Sequence, residues 1–223
     1  MSEVLLIHGA CHGAWAWARV IPALAALGVQ ARALDLPGRG VAASLEDQIA
    51  AVEAALQGPT VLVGHSAGGF AMTGAARSPL VHGLIYVCAY VPVAGQSLAA
   101  MRKGWAERPL DGAFVVDRAR GVFGFDPARS RDLFFHDCAD ATDRLCAEAL
   151  APMETALPDV TAAEGLPRGY IQCRNDRAIP PEFQAQMAQG IGVQAALPCG
   201  HSPFLAMPDR LAGCIAEMIG TFG

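Results

Sequence analysis

A strand, a glycine-flanked serine and a helix follow one another within ten residues of this chain. Residues 60–64 are apolar and rich in β-branched side chains, which is typical of a buried strand. The next residues read Gly64-His65-Ser66-Ala67-Gly68, and a helical pattern continues to residue 77. A serine with glycine two positions away on either side predicts a sharp turn from strand to helix, because side chains at the glycine positions would clash. The segment therefore indicates an α/β architecture.

Strand-like and helix-like segments alternate on both sides of this turn. The apolar patterns predict strands at residues 4–7, 29–36, 60–64, 83–90, 169–173 and 192–197. Helical patterns follow them at residues 14–27, 44–57, 67–77, 181–189 and 209–220. Such alternation implies a mostly parallel sheet with helices on both faces.

The alternation is interrupted between residues 92 and 166. This stretch has no clean strand run, and it combines helical pieces with aromatic residues and repeated glycine and proline. We therefore predict a core formed by residues 1–91 and 167–223, with residues 92–166 inserted as a helical cap (lid). The cap should lie over the C-terminal edge of the sheet.

Charge and composition exclude several classes of partner. The chain carries 16 basic and 21 acidic residues, a formal charge of −5, and no basic cluster, which argues against nucleic acid and anionic membranes. No apolar run approaches the ~18 to 20 residues of a membrane span. The first residues lack the basic region of a signal peptide. The seven scattered cysteines include no C-x-x-C pair, so we expect reduced thiols in a cytoplasmic protein, with no metal site.

Ser66 is the predicted nucleophile. Alone, the five-residue pattern is weak, because glycine and serine are common. Here it follows a strand and opens a helix, which is the context that the motif requires. The same turn would direct the backbone N–H of Ala67 and the helix dipole at the oxygen of a reacting carbonyl.

His201 is the predicted general base. In this kind of site the chain order is serine, acid, histidine, and His201 follows the last predicted strand. His136 lies in the predicted cap, where a base would be poorly anchored, and His82 lies at the start of a strand. Chain order and anchoring therefore favour His201.

Asp176 is the predicted acid. It lies in the loop that leaves the strand at residues 169–173, and it would fix the imidazole tautomer without taking the proton. Asp159 and Glu164 precede that strand, and Asp209 resembles a helix N-cap. The position after the strand favours Asp176.

The loop after the first strand is the predicted partner of Ala67 in an oxyanion hole. Residues 7–15 read Ile-His-Gly-Ala-Cys-His-Gly-Ala-Trp, and the amide of Ala10 is the candidate second donor. Acyl transfer of this kind needs no metal and no organic cofactor. We expect substrate contacts from five residues, His12, Cys11, Trp105, Phe123 and Phe204.

Taken together, these motifs resemble one family. They are His8-Gly-Ala-Cys-His-Gly-Ala-Trp15, Gly-His-Ser66-Ala-Gly-Gly, Val-Cys-Ala-Tyr-Val-Pro92, the run from Asp176 to Gln184, and Gly-His201-Ser-Pro-Phe-Leu. The chain resembles the α/β-hydrolases that include plant methylesterases (such as salicylate methyl esterases), hydroxynitrile lyases and bacterial esterases. The resemblance runs from the first strand to the last helix and is weakest in the cap. It implies an α/β-hydrolase fold, a Ser–His–Asp triad at Ser66, His201 and Asp176, and an oxyanion hole at Ala10 and Ala67.

The family contains two chemistries, and two positions separate them. The hydroxynitrile lyases of the family carry a threonine at the position of Ala10, and its hydroxyl holds the cyanohydrin. They also carry a lysine directly after the catalytic histidine, which stabilises departing cyanide, whereas this chain has Ser202. We therefore expect a serine carboxylesterase that acts on a small, apolar ester beneath the aromatic residues 105–135. Cyanohydrin cleavage and ligand binding without turnover are the alternatives. An apolar cap edge could support a homodimer.

Overall fold

The computed structural model of the protein describes residues 3–222. Six parallel strands form the central sheet, and they are β1 Glu3–Ile7, β2 Ala31–Leu34, β3 Thr60–His65, β4 Val81–Val87, β8 Arg168–Cys173 and β9 Val193–Leu197. Their order across the sheet is β2-β1-β3-β4-β8-β9. All six agree with predicted strands to within a few residues, which confirms the α/β-hydrolase fold.

Helices cover both faces of this sheet. The helices outside residues 92–166 are α1 Val20–Ala26, α2 Leu45–Ala55, α3 Gly68–Ala75, α8 Pro181–Met187, α9 Pro203–Ala206 and α10 Pro208–Thr221. Two separate apolar clusters lie against the sheet, one containing Leu5 and Ile7 and the other Val4 and Leu6 of the same strand. Because successive side chains of a strand point to opposite faces, the apolar run of β1 is buried on both sides.

The predicted helix at residues 14–27 is divided in two. A short 3-10 helix spans Ala14–Trp17, and α1 begins only at Val20. Pro22 explains the break, because proline has no N–H for the carbonyl four residues earlier and its ring clashes with that carbonyl. Proline is tolerated only in the first turn, where it lies here.

The segment at residues 92–166 contains the expected helices and also a small sheet, which the prediction of a helical cap without clean strands did not include. Its strands pair antiparallel in the order β5-β6-β7, with bounds β5 Phe114–Asp117, β6 Val122–Phe125 and β7 Glu148–Ala149. Its helices are α4 Leu98–Gly104, α5 Pro127–Phe134, α6 Ala151–Glu154 and α7 Thr161–Glu164. Gly121, at φ 65°, makes the turn between β5 and β6. The division into core and cap stays a prediction.

No helix within residues 3–222 has both the length and the apolar character that crossing a bilayer requires.

Candidate active site

The structure places Ser66 on the sharp turn that the sequence predicts. Ser66 directly follows β3 and has a φ of 52°, in the left-handed region that L-residues rarely adopt. A Cβ atom at Gly68 would lie 2.5 Å from the carbonyl oxygen of His8, so only glycine fits there. The glycine lets α3 pack closely on the loop after β1, and this packing brings Ser66 next to that loop.

Three predicted residues form one hydrogen-bonded chain at the C-terminal edge of the sheet. His201 Nε2 lies 3.1 Å from Ser66 Oγ, and His201 Nδ1 lies 2.7 Å from Asp176 Oδ2. The side chains of His201 and Asp176 are only 2% and 0% exposed. Because a carboxylate can only accept, Nδ1 carries the proton that faces Asp176, and in the neutral ring Nε2 is free to accept the Ser66 hydroxyl.

Backbone and side-chain donors fix the orientation of Asp176. Its Oδ1 accepts from the amides of Ala178 and Ile179 at 2.7 and 2.9 Å. Its Oδ2 accepts from Gln184 Nε2 at 2.9 Å in addition to His201. Four donors thus satisfy the carboxylate and hold it in one position relative to the imidazole.

Gln184, the last residue of the 176–184 motif, supports the acid from α8. This fully buried side chain of α8 accepts from the Cys173 amide at 2.9 Å and donates to Asp176 and to the Ile179 carbonyl. It therefore ties the end of β8 to the loop that carries the acid.

We expect Gln184→Leu to lower kcat about tenfold, because misplacing a catalytic group by a fraction of an ångström weakens catalysis. It also leaves the buried Cys173 amide without its acceptor, which should cost about 1 to 3 kcal/mol of stability. Ester turnover and thermal unfolding measure the two effects. Gln186→Leu, on an exposed position of the same helix, is the control and should change neither. Equal kcat values in the two variants would exclude a positioning role for Gln184.

The loop after β1 is fixed by two histidines. His8 Nδ1 donates to the Gly9 carbonyl at 2.8 Å, while His8 Nε2 accepts from the Leu36 amide at 3.0 Å. The Gly9 carbonyl also accepts from the His12 amide at 3.2 Å, and His12 Nδ1 donates to the Ala10 carbonyl at 2.8 Å. The peptide group that bears the Ala10 N–H is therefore held at its carbonyl end by two donors.

Burial keeps the histidines around this loop neutral. It lowers the pKa of His8 to about 4 and that of His12 to about 3, against the smaller opposing effect of their hydrogen bonds to the backbone. Burial likewise lowers the pKa of His65, whose Nε2 donates to the His201 carbonyl at 2.9 Å. The hydrogen bonds of the loop thus persist across neutral pH.

A narrow apolar chamber lies next to Ser66. Its volume is about 30 Å³, and Ala10 and Ala67 both line it, together with Ser66 and His201. Among the hydrogen bonds of residues 3–222, none uses the amide of Ala10 or Ala67 as its donor. The two predicted oxyanion donors thus lie on one chamber with the serine and the histidine.

The predicted substrate-contacting residues divide into two groups. His12 and Phe123 line the chamber. Trp105 lies outside it, stacked on Phe183 at 4.7 Å between ring centroids. Phe204 is fully buried and packs edge-on against His65, and the Cys11 thiol faces the Phe123 carbonyl. The structure therefore does not bring Trp105, Phe204 or Cys11 to the chamber, since packing occupies each side chain elsewhere.

Two further residues support the site without having been predicted. His65 holds the His201 backbone, and Asp137 of the inserted segment accepts from the Gly200 amide at 2.6 Å. Nothing in the sequence marks Asp137, because it lies 63 positions before its partner. His65 does carry a sequence signal, because it lies inside the serine motif, directly before Ser66.

One group of potential metal ligands lies in the described residues. His65, Cys88 and His201 offer ligand atoms within 4.8 Å of one another. The ring nitrogens of His201 already contact Asp176 and Ser66, and His65 Nε2 donates to a carbonyl. These contacts favour proton transfer over metal binding, and the expected absence of a metal or cofactor stays a prediction.

The chain is similar to known hydrolases over nearly its whole length. Residues 4–213 match the family described as the alpha/beta hydrolase family. A pyrethroid hydrolase of Sphingobium wenxiniae is 30% identical, over 97% of this chain and 87% of that protein. A carbendazim-hydrolyzing esterase of Nocardioides is 29% identical, over 98% and 100% of the two chains. Salicylic acid-binding protein 2 of Nicotiana tabacum is 24% identical, over 97% and 96%.

Solved structures have the same fold. The crystal structure of a pyrethroid hydrolase from Sphingobium faniae superposes with a TM-score of 0.85 at 26% identity, over 98% of this chain and 97% of that one. Polyneuridine aldehyde esterase superposes with a TM-score of 0.84 at 21% identity, over 98% and 99% of the two chains.

Proposed function

Because this chain belongs to the alpha/beta hydrolase family, we propose that it is a carboxylesterase that works through an acyl-enzyme on Ser66. The observation that carries the proposal is the continuous hydrogen-bonded chain from Asp176 through His201 to Ser66. It ends at a chamber that Ala10 and Ala67 line. Relatives that are named as esterases and hydrolases support the same reaction.

The first half of the reaction forms the acyl-enzyme. Ser66 Oγ attacks the ester carbonyl carbon while its proton passes to His201 Nε2. The carbonyl oxygen becomes an oxyanion, which the amides of Ala10 and Ala67 stabilise. Asp176 stabilises the imidazolium. The C–O bond to the alcohol then breaks, and the leaving oxygen takes the proton from Nε2.

The second half releases the acid. A water molecule gives a proton to His201 Nε2 and its oxygen attacks the acyl carbon. The second oxyanion collapses, the bond to Ser66 Oγ breaks, and the serine regains its proton from the imidazolium. The products are one carboxylic acid and one alcohol, and the enzyme returns to its starting state.

The substrate that we propose is an apolar ester with one part beyond the chamber. A second cavity of about 190 Å³ adjoins the chamber and shares five lining residues with it, Leu98, Arg102, Phe114, Phe123 and Met153. The chamber itself has room for little more than the reacting group. The names of the pyrethroid and carbendazim hydrolases support small-molecule esters as a class.

We expect Met153→Ala to favour longer acyl chains, because Met153 lies between the two cavities and its loss joins them. The ratio of kcat/KM for p-nitrophenyl octanoate to that for the acetate should rise about tenfold, since each buried CH₂ contributes about 0.8 kcal/mol. Met187 lines a different cavity, so the control variant Met187→Ala should leave this ratio unchanged. An unchanged ratio in Met153→Ala would place the acyl chain elsewhere.

The experiment that tests the proposal is covalent labelling followed by turnover. A tagged fluorophosphonate should modify Ser66, as mapped by peptide mass spectrometry, and p-nitrophenyl acetate should give a burst of one p-nitrophenol per active site. Labelling without turnover would favour ligand binding. Cyanide release from mandelonitrile, with no ester hydrolysis, would favour a lyase. Absence of both labelling and turnover contradicts the proposed function.

The compartment and the assembly are further proposals. We propose a reducing compartment such as the cytoplasm, which is supported by the seven cysteines, all of them unpaired. We propose a homodimer through β5, an edge strand of the cap sheet on which Val115 and Val116 are 59% and 45% exposed. An exposed apolar edge strand is a common site of pairing between chains.

A further inference from the structure

A buried carboxylate that the reaction does not use lies beside the loop after β1. Glu148 is 2% exposed and belongs to β7. Burial raises its pKa to about 7, against the opposing effect of its hydrogen bonds and of Arg39. It does not line the chamber. Burying a carboxylate costs free energy unless hydrogen bonds compensate for the lost water. The contacts of Glu148 therefore indicate its role.

The segment that carries Glu148 is fastened to the core. We name residues 146–149 the strap. The Ala149 amide donates to the Gly38 carbonyl at 2.8 Å, and the Gly40 amide donates to the Ala147 carbonyl at 2.7 Å. On its other side the strap pairs with β6. The backbone of Glu148 is therefore fixed between the inserted segment and the core.

The strap holds both polar groups of the Cys11 backbone. The Cys11 amide donates to Glu148 Oε2, and the Cys11 carbonyl accepts from the Cys146 amide at 3.0 Å. Cys11 has a φ of 62°, a left-handed conformation that costs a non-glycine residue free energy unless its surroundings impose it. The two contacts with the strap supply that constraint.

A second contact fixes the carboxylate itself. Gln48 of α2, which is 3% exposed, donates through Nε2 to Glu148 Oε1 at 3.2 Å and to the Pro37 carbonyl at the same distance. Each carboxylate oxygen therefore has a defined donor. Rotation of the Glu148 side chain away from Cys11 would break both hydrogen bonds.

We propose that Glu148 is a positioning residue of the oxyanion hole, which holds the Cys11 amide so that the preceding amide, that of Ala10, faces the chamber. The inference rests on the proposed function. His8 and His12 fix the carbonyl on the N-terminal side of Ala10, and Glu148 fixes the peptide on its C-terminal side. Ala10 lies between the two constraints. Loss of the second one should let its N–H turn away from the oxyanion.

Three substitutions separate the hydrogen bond from the shape and the charge. Glu148→Met keeps the length and removes a strong acceptor. Glu148→Gln keeps the length and one acceptor, which serves the Cys11 amide, while its amide nitrogen replaces the oxygen that faces Gln48. Glu148→Asp keeps the charge but shortens the side chain by one methylene, so that it no longer reaches Cys11. Arg120→Met is the matched control, because Arg120 Nη2 also links the inserted segment to the core, at the Gly40 carbonyl, without contacting Cys11.

The measurements are kcat and KM for p-nitrophenyl butyrate, and the affinity for a pair of inhibitors. An alkyl trifluoromethyl ketone forms a tetrahedral adduct that uses the oxyanion hole, and the matching methyl ketone binds without one. Removing an oxyanion donor lowers kcat by about 10² to 10³. For a displaced donor we expect a loss of about 30-fold in Glu148→Met and Glu148→Asp, with KM within about threefold. Affinity for the trifluoromethyl ketone should fall in parallel, and affinity for the methyl ketone should not.

The variants distinguish this inference from the proposed function. Glu148→Gln and Arg120→Met should keep kcat within about threefold of the wild type. If Glu148→Met does not fold, the kcat and the ketone affinities of Glu148→Asp test the inference instead. The inference is overturned if the shortened variant keeps wild-type kcat, if Glu148→Gln loses as much as Glu148→Met, or if both ketones weaken equally. A wild-type protein that neither labels nor turns over esters would instead contradict the proposed function.

Discussion

Replacement of Ser66 by alanine is expected to lower kcat for p-nitrophenyl acetate by about 10⁵-fold or more, to a residual rate set by binding and the oxyanion donors. Without Oγ, the chamber has no nucleophile, and His201 Nε2 loses the hydroxyl from which it accepts at 3.1 Å. Among residues 3–222, no other serine or threonine lines the chamber to replace it. Fluorophosphonate labelling at position 66 should be lost with the activity.

Ser66→Ala should leave the fold intact. Alanine meets the same steric limits as serine at a φ of 52°, so the strain of the turn is kept rather than increased. The control is Ser78→Ala, which removes a hydroxyl from the surface loop before β4 and should keep full activity. Stopped-flow turnover with purified protein measures the activity of each variant, and a thermal melt verifies its fold. Retention of wild-type kcat by Ser66→Ala would contradict the acyl-enzyme mechanism.

The residues that the sequence identifies well are those at the ends of predicted strands. Ser66 follows β3 and Asp176 and His201 lie in the loops after β8 and β9. In a parallel sheet these carboxyl ends meet at one edge, so chain order alone brings distant residues together. His201 lies 135 positions from Ser66, yet both positions follow from a strand boundary.

The supporting residues are harder to predict because no local pattern marks them. Glu148 lies 137 positions from Cys11, and β7 has only two residues, too few for an alternation to be recognised. Gln184 looks like any polar residue of a helix. Their contacts depend on how the inserted segment folds back on the core, which periodicity does not encode. Trp105 illustrates the opposite error, since an aromatic residue in the inserted segment packs on a helix instead of entering the chamber.

Replacement of Asp176 by asparagine should lower kcat about 10⁴-fold, through the tautomer of His201 rather than through loss of the fold. Oδ1 of the asparagine can still accept from Ala178 and Ile179, so its amide nitrogen would take the place of Oδ2. That nitrogen donates to His201 Nδ1, which moves the imidazole proton to Nε2. A protonated neutral Nε2 cannot accept the hydrogen of Ser66.

Gln184 reinforces this effect. Its Nε2 donates to Asp176 Oδ2 at 2.9 Å, and in Asp176→Asn it would meet a second donor, which adds a local repulsion. Asp209→Asn is the control. It makes the same substitution at an exposed aspartate in the first turn of α10, and it should keep wild-type turnover. Steady-state kinetics on both variants, with circular dichroism to verify the fold, test whether Asp176 orients His201. Full activity in folded Asp176→Asn would mean that another group orients His201.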